Sequence, residues 1–412
     1  MKIAYLAPEI PALSATFVYN EILALEALGT EVVSFSVHQP SSSVSDPKVE
    51  RLRASVIHIY DTAVLSVFLA HIRLLFNSPL RYMHSLLALF SDMRALGLLS
   101  RGALGQAYRY FYAAKLACDL VDKQCQHLHV HFAHIPTDIA MYASLFSNIP
   151  FSVTAHANDL FERGYLLNEK VGRASFFATI SEFNKRFLAS KNVAVDSVCI
   201  VRCGVDSDCF SLRESFVSGG KIKLGVVGRL VEKKGIDTLI KAVSLMKQQG
   251  LAVELNIAGS GPLEAELKEC VLNSSLTMSD VHFLGALAHT QVAEFITSLD
   301  VFVLPCQKDS NGDMDGIPVV LMEAMLSGVP VVSTKISGIP ELVVNGQTGL
   351  LVLPGDERAL ANAISNLMDD SRLKNSMIIN AAAKVKEEFS LKSNARKLND
   401  MFNQVINGKK AI

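Results

Sequence analysis

Two carboxylates, Asp315 and Glu323, stand eight positions apart in the stretch DGIPVVLMEAMLSGVPVV (315–332). The second is set among Val320, Leu321, Met322, Ala324 and Met325, where an unpartnered carboxylate is unfavourable. Gly316 permits an unusual backbone angle, and between Ile317 and Val319 the proline Pro318 suits a first helical turn, where its missing N–H is not needed. A helix beginning here turns unpaired N–H groups and a positive dipole toward an anion. Pro318 and Glu323 are separated by roughly 7.5 Å along such a helix. That is too far for Asp315 and Glu323 to work as a close acid/base pair. It suits gripping two hydroxylated groups on either side of a phosphate bridge, a sugar at one end and a ribose at the other.

Other residues at strand ends point the same way. IKLGVVGR closes in Gly228 and Arg229, and Lys234 and Gly235 follow before the next helical segment. An arginine forks across phosphate oxygens and a lysine supplies a compact charge, so the pair suits a diphosphate. Spacing alone leaves a solvated surface loop equally open. LNIAGSGP brings Gly259 and Gly261, but Glu264 occupies the third position of a dinucleotide fingerprint. The motif reads instead as a tight turn where a ligand can approach the backbone. KDSNGDMDG is rich in oxygen ligands, yet a calcium loop aligned on it places Met322 where a bidentate glutamate belongs, so it reads as a flexible acidic surface loop.

SVTAHAND ends a strand at His156, a candidate catalytic group. His129, His131 and His134 lie in HVHFAH, with the first two on one strand face at the spacing of a metal pair. No carboxylate or cysteine cluster joins them in sequence, and no metal is expected.

The elements that must position these residues alternate short apolar runs with helical periods. Strands are predicted over 2–7, 31–37, 56–61, 127–132, 151–156, 176–180 and 198–203, then over 222–229, 253–259, 281–285, 300–305, 329–334 and 349–353, with Gly29 and Gly250 as helix stops. This is an α/β pattern of two doubly wound parallel sheets, Rossmann-like, with ligands beyond the carboxyl ends of the strands. The expected domains are 1–212 and 213–388, joined in the polar stretch 206–221. An amphipathic helix over 389–408 either caps the second domain or crosses back to the first.

The chain has 412 residues, half of them hydrophobic, and a net charge of −1, which describes a two-domain globular protein without a global attraction to nucleic acid. Seven scattered cysteines suit reduced thiols in the cytoplasm. The opening MKIAYLAPEIP is too short an apolar run for a signal peptide, and no stretch is long enough to span a membrane. Between Thr62 and Cys118 the helical pattern is rich in Leu, Phe and Tyr and carries Arg73, Arg81, Arg94, Arg101, Arg109 and Lys115 against one acid, Asp92. It reads as packing helices or as a basic apolar face for an anionic membrane.

GVVGRLVEKKG, the Asp315-x7-Glu323 pair, EAMLSGVPVVST and GIPELVVNGQTGLLV together resemble the retaining GT-B glycosyltransferases of family 4, of the exopolysaccharide and colanic-acid type. The resemblance implies two Rossmann-like domains facing across a cleft, with a nucleotide sugar held by the second and a saccharide acceptor, lipid-linked, by the first. It implies that Arg229 and Lys234, with Gly228 and Gly261 nearby, bind the diphosphate. Glu323 would hold the ribose, Asp315 to Val319 would meet the transferred sugar and phosphate, and His156 would stand near that sugar. Ser14 and Thr16, in PEIPALSATF, match the subgroup's acceptor or phosphate loop, with Ala15 in place of an acid. No cofactor or metal is implied, and the location is cytoplasmic or peripheral on the inner membrane face. A nucleotide-sugar epimerase or hydrolase, or a non-catalytic nucleotide-sugar binder, are the alternatives on the same architecture.

Overall fold

The computed structural model describes residues 1–12, 15–40, 49, 50, 52, 55–213 and 220–408. They gather into two compact units, one of Met1–Ile180, Asn184–Arg202 and the segment from Leu391, the other of Ser181–Phe183 and Cys203–Ser390.

In the first unit, β1 (Lys2–Ala7), β2 (Glu31–Ser36), β3 (Ile57–His58), β4 (His127–His131), β5 (Phe151–Ala155), β6 (Phe177–Thr179) and β7 (Val198–Ile200) form a parallel sheet in the order β3-β2-β1-β4-β5-β6-β7. Ile3 to Ala7 are all fully buried, as expected of a strand covered on both faces. Helix Thr16–Ala27 lies over one face and stops before Gly29, whose φ of +85° favours glycine. The helical layer of the 62–118 stretch consists of Val64–Asn77, Pro79–Leu96 and Arg101–Asp122. The predicted strand over 56–61 shrinks to Ile57–His58, because the chain turns at Ile59, whose carbonyl accepts the Thr62 N–H.

The last helix, Leu391–Ile406, docks on this first unit. It buries Ala395, Leu398, Met401 and Phe402, and Asn399 accepts a hydrogen bond from Thr30 at 2.7 Å.

The second unit holds β8 (Ile222–Val227), β9 (Val253–Ala258), β10 (Val281–Gly285), β11 (Val301–Leu304), β12 (Val331–Thr334) and β13 (Leu350–Val352), all parallel, in the order β10-β9-β8-β11-β12-β13. Helix Ile236–Gln248 follows β8 and stops before Gly250 (φ +85°). In each sheet the order reverses once near its middle, between β1 and β4 and between β8 and β11. A crevice for ligands opens at the carboxyl ends of such strand pairs.

Candidate active site

The loops after β8 and β11 meet at the reversal point of the second sheet. Gly228 donates to Ala258 O at 3.0 Å. A Cβ on Gly259 (φ +143°) would stand 1.9 Å from the Gly228 carbonyl oxygen, and one on Gly261 would stand 2.4 Å from that of Leu230. The backbone that approaches these two glycines is therefore the chain's own. Gly235, with φ +64°, passes so near Pro305 that an added Cβ would lie 2.0 Å from its carbonyl oxygen. That contact seats the two lysines before it against the end of β11.

Lys234 Nζ lies 2.6 Å from Asp315 Oδ2, and Lys233 Nζ lies 2.7 Å from Asp313 Oδ2 and 3.5 Å from Asp315 Oδ1. The Cys306 thiol donates to Asp315 Oδ2 at 3.4 Å. Asp315, expected to grip a hydroxyl, is thus held between two ammonium groups. Burial pushes its carboxyl upward, but Lys234 and Lys233 outweigh it and hold the group below its ordinary range. Burial pulls the Lys234 ammonium down, and Asp315 reverses that, leaving it above its usual value. Burial and the adjacent Asp315 raise Cys306 well above an ordinary thiol. Arg229 is exposed and makes no ion pair among the described residues.

The acidic loop is bridged by hydrogen bonds. Asp309 Oδ1 accepts the N–H groups of Asn311 and Asp313, at 3.0 and 2.8 Å, and Glu232 accepts the Ser310 N–H and hydroxyl. Gly316, which permits an unusual backbone angle, does not take a positive φ, whereas Gly312 in the loop before it does (φ +90°). Pro318 stands just before the helix, as the cap of Val319–Leu326, and Glu323 is buried on that helix. Ile317 is clamped by the GIPEL turn, where a Cβ on Gly338 would come within 2.7 Å of it.

In the first unit, β4 and β5 carry a buried polar seam. The alternating residues His127, His129 and His131 meet Ser152, Thr154 and His156. Ser152 Oγ lies 2.6 Å from His127 Nε2 and 2.8 Å from His129 Nδ1, and Thr154 Oγ1 lies 3.1 Å from His129 Nε2. His131 Nδ1 is 3.0 Å from His156 Nε2, and His131 Nε2 is 2.9 Å from Glu21 Oε1. Phe17 and Phe132 enclose the His156 ring, each with its centroid 4.6 Å away. Asp159 accepts the His156 backbone N–H at 2.9 Å. Ligating atoms of Glu21, His129 and His131 lie within 4.8 Å of one another. The spacing of a metal pair is real, and Ser152, Thr154, His156 and Glu21 stand within hydrogen-bond distance of these ring nitrogens. Thr16 opens helix Thr16–Ala27, and Ser14 lies outside the described residues.

Sequence reading passed over Lys233, Cys306 and Glu21. Glu21 was detectable: it falls on the apolar face set by Val18, Ile22 and Leu25, where an acid needs a partner. Lys233 and Cys306 carried no such signal, since their roles come from the crossing of two loops.

Residues 210–384, which contain this crevice, match the family described as Glycosyl transferases group 1. They form a glycosyl transferases group 1 domain. Similar proteins include the amylovoran biosynthesis glycosyltransferase AmsK of Erwinia amylovora, 33% identical over 57% of this chain and 59% of that one. The capsular polysaccharide biosynthesis glycosyltransferase CapM of Staphylococcus aureus is 30% identical over 58% of this chain and 65% of its own. The matched stretch thus spans about three-fifths of these curated relatives. Among solved structures, HepE of Anabaena in complex with UDP-glucose superposes with a TM-score of 0.72 at 18% identity, covering 98% of this chain and 100% of that one. Sucrose-phosphate synthase of Thermosynechococcus elongatus gives 0.73 at 17% identity, covering 99% and 100%. The group 1 domain and the unit before it share the fold of these proteins, two Rossmann-like parallel-sheet domains.

Proposed function

We propose that the protein is a retaining glycosyltransferase that moves a sugar from a nucleotide-sugar donor to a growing, lipid-linked polysaccharide repeat unit. The observation that carries this reading is the Lys233–Lys234–Asp315 network at the carboxyl ends of β8 and β11, beside exposed Arg229, inside the group 1 domain. Cations beside the start of helix Val319–Leu326 suit a diphosphate, whose charge grows as the anomeric C–O bond breaks. Arg229, Lys234 and the N–H groups at Val319 would stabilise that leaving group, while Asp315 keeps the lysine heads in register. Glu323 would take the ribose and His156 a sugar hydroxyl. The acceptor oxygen forms the new bond, and its proton passes to the departing phosphate. These cations supply the countercharge, so we expect transfer to persist in EDTA.

The lipid-linked acceptor has support in the helical layer of the first unit. Val64, Leu65, Phe68, Leu69, Phe76 and Leu80 are all exposed there. Arg81, Arg94 and Arg101 are exposed as well and make no ion pair among the described residues. Asp92, the one acid of the stretch, is buried and turned to Arg173, so it does not offset them. No described helix is long and apolar enough to cross a membrane. A basic apolar face suits peripheral attachment to anionic phospholipid, on the cytoplasmic side where nucleotide sugars are drawn.

Mass spectrometry of products from a panel of nucleotide sugars, with and without lipid-linked acceptors, tests the reading. A glycosylated lipid is the expected product. Donor consumption without acceptor glycosylation would overturn it in favour of a hydrolase or epimerase.

A further inference from the structure

We propose that Tyr60 and Tyr108, with Gln39 and Asp61 at their edge, form a saccharide-binding subsite on the first unit, for the sugar nearest the lipid of the acceptor. The subsite rests on the function proposed above and names the part of the acceptor that this unit holds.

The loops after β2 and β3 build one wall. The Tyr60 N–H donates to the Val37 carbonyl at 3.2 Å, and Gln39 Nε2 donates to Asp61 Oδ2 at 2.7 Å. Helix Arg101–Asp122 supplies the other wall through Tyr108 and Tyr112, which fall on one face. The centroid of the Tyr60 ring lies 5.2 Å from that of Tyr108 and 4.9 Å from that of Tyr112, and the His38 ring meets Tyr60 edge-on at 5.1 Å. Tyr112 is buried and props Tyr108, whose centroid is 5.1 Å away and whose side is open to solvent, 51% exposed.

The chemistry of these rings differs from that of the apolar layer beside them. Phe68, Phe76 and Phe90 stand exposed on helices Val64–Asn77 and Pro79–Leu96 and carry no polar atom. Here the rings bear hydroxyls. A sugar presents C–H groups on a face and hydroxyls around its edge, so it matches an aromatic face bounded by a few donors and acceptors. Burial pushes the Tyr60 phenol up to about 12, against the opposing Arg109, so it stays a neutral hydroxyl able to donate. The exposed Asp61 carboxylate takes one hydrogen bond from Gln39 and has lone pairs left for neighbouring sugar hydroxyls.

Position selects the sugar. Val64 and Leu65, both exposed, open the apolar helix just after Asp61, and the exposed Leu104 stands one turn before Tyr108 on the same helix face. The apolar layer thus runs up to the rings, as a lipid tail runs up to its first sugar. On the other side Arg109 reaches Asp138 Oδ2 at 3.1 Å, in the first turn of helix Ile135–Ser147 after β4. The rings therefore flank the reversal point of the first sheet, where a crevice opens.

The test uses the full chain and the methyl glycosides of glucose, galactose, mannose and fucose, titrated by saturation-transfer NMR with no donor present. At least one is expected to bind the wild type through its ring protons. Tyr108→Phe keeps the ring face and should bind that glycoside equally well. Tyr108→Ala and Asp61→Ala should each weaken binding about tenfold, with urea midpoints nearly unchanged because both side chains are exposed. Co-sedimentation of Tyr108→Ala with phosphatidylglycerol vesicles should match the wild type. Binding of none of the glycosides, or equal binding by Tyr108→Ala and Asp61→Ala, would overturn the subsite. So would loss of vesicle binding in Tyr108→Ala, which would assign the rings to the membrane. The titration needs no turnover, so failure of every nucleotide sugar to yield a glycosylated lipid would sink the proposed function while the subsite is still decided by binding.

Discussion

Lys234 Nζ and Asp315 Oδ2 are 2.6 Å apart, joining the loop after β8 to the loop after β11. Both side chains are mostly buried, so removing one strands the other. Lys234→Ala should destabilise the protein by about 3 kcal/mol and cut transfer by roughly a hundredfold. A double-mutant cycle with Asp315→Ala, followed by urea unfolding, should show coupling of about 1–3 kcal/mol. Additivity of the two substitutions would mean that the pair does not act as a unit.

Arg173 holds Asp92 through two hydrogen bonds of 2.6 and 2.7 Å, and the Tyr142 hydroxyl donates to the same carboxylate at 2.8 Å. Arg173→Met leaves a buried carboxylate with only a phenol. A loss of about 3–5 kcal/mol is expected in denaturant titration. A loss within experimental error would show that Asp92 reaches water.

The apolar helical layer gives the opposite expectation. Phe68, Phe76 and Leu80 are 56%, 79% and 86% exposed, so changing all three to Ser should leave the unfolding midpoint nearly unchanged. Co-sedimentation with vesicles containing phosphatidylglycerol should fall sharply in this variant. Wild-type binding should weaken with added salt, because the arginine contribution is screened. Salt-insensitive binding would remove the electrostatic half of the account.

Asp159 ties stability to pH. Burial raises its carboxyl to about 6, against the opposing N–H groups of Ala133 and His156. An acid whose folded pKa lies above its unfolded value favours the fold while protonated, and that contribution is lost as pH rises through the folded pKa. The wild type should therefore lose stability relative to Asp159→Asn between about pH 4 and pH 6, by on the order of 3 kcal/mol, and then level off. Urea midpoints of both proteins across that range check the sign. A wild type that gains stability relative to Asp159→Asn as pH rises would contradict it.

Much of the architecture was legible in the residue pattern, for particular reasons. Strands such as KIAYLA and VELNIA are short apolar runs bounded by turn residues, and parallel sheets bury such runs on both faces. Gly29 and Gly250 announced helix ends through a backbone conformation that other residues resist. VIHIYD shrank to a two-residue strand because its last three residues answer to a turn, which periodicity does not register. At the candidate site, Arg229, Lys234 and Asp315 were legible as residues, but the ion pair between the last two was not, since it depends on two crossovers bringing distant loops together. The histidines of HVHFAH were visible as an unusual cluster. Their partners Ser152, Thr154 and Glu21 become apparent only from strand register and helix docking.

The contact between Gly259 and the Gly228 carbonyl leaves no room for even a methyl group. The carboxyl ends of the parallel strands β8 and β9 are thus one mechanical part rather than two adjustable ones. Editing either segment singly will jam it, and productive redesign of this crevice will require exchanging both together as a cassette.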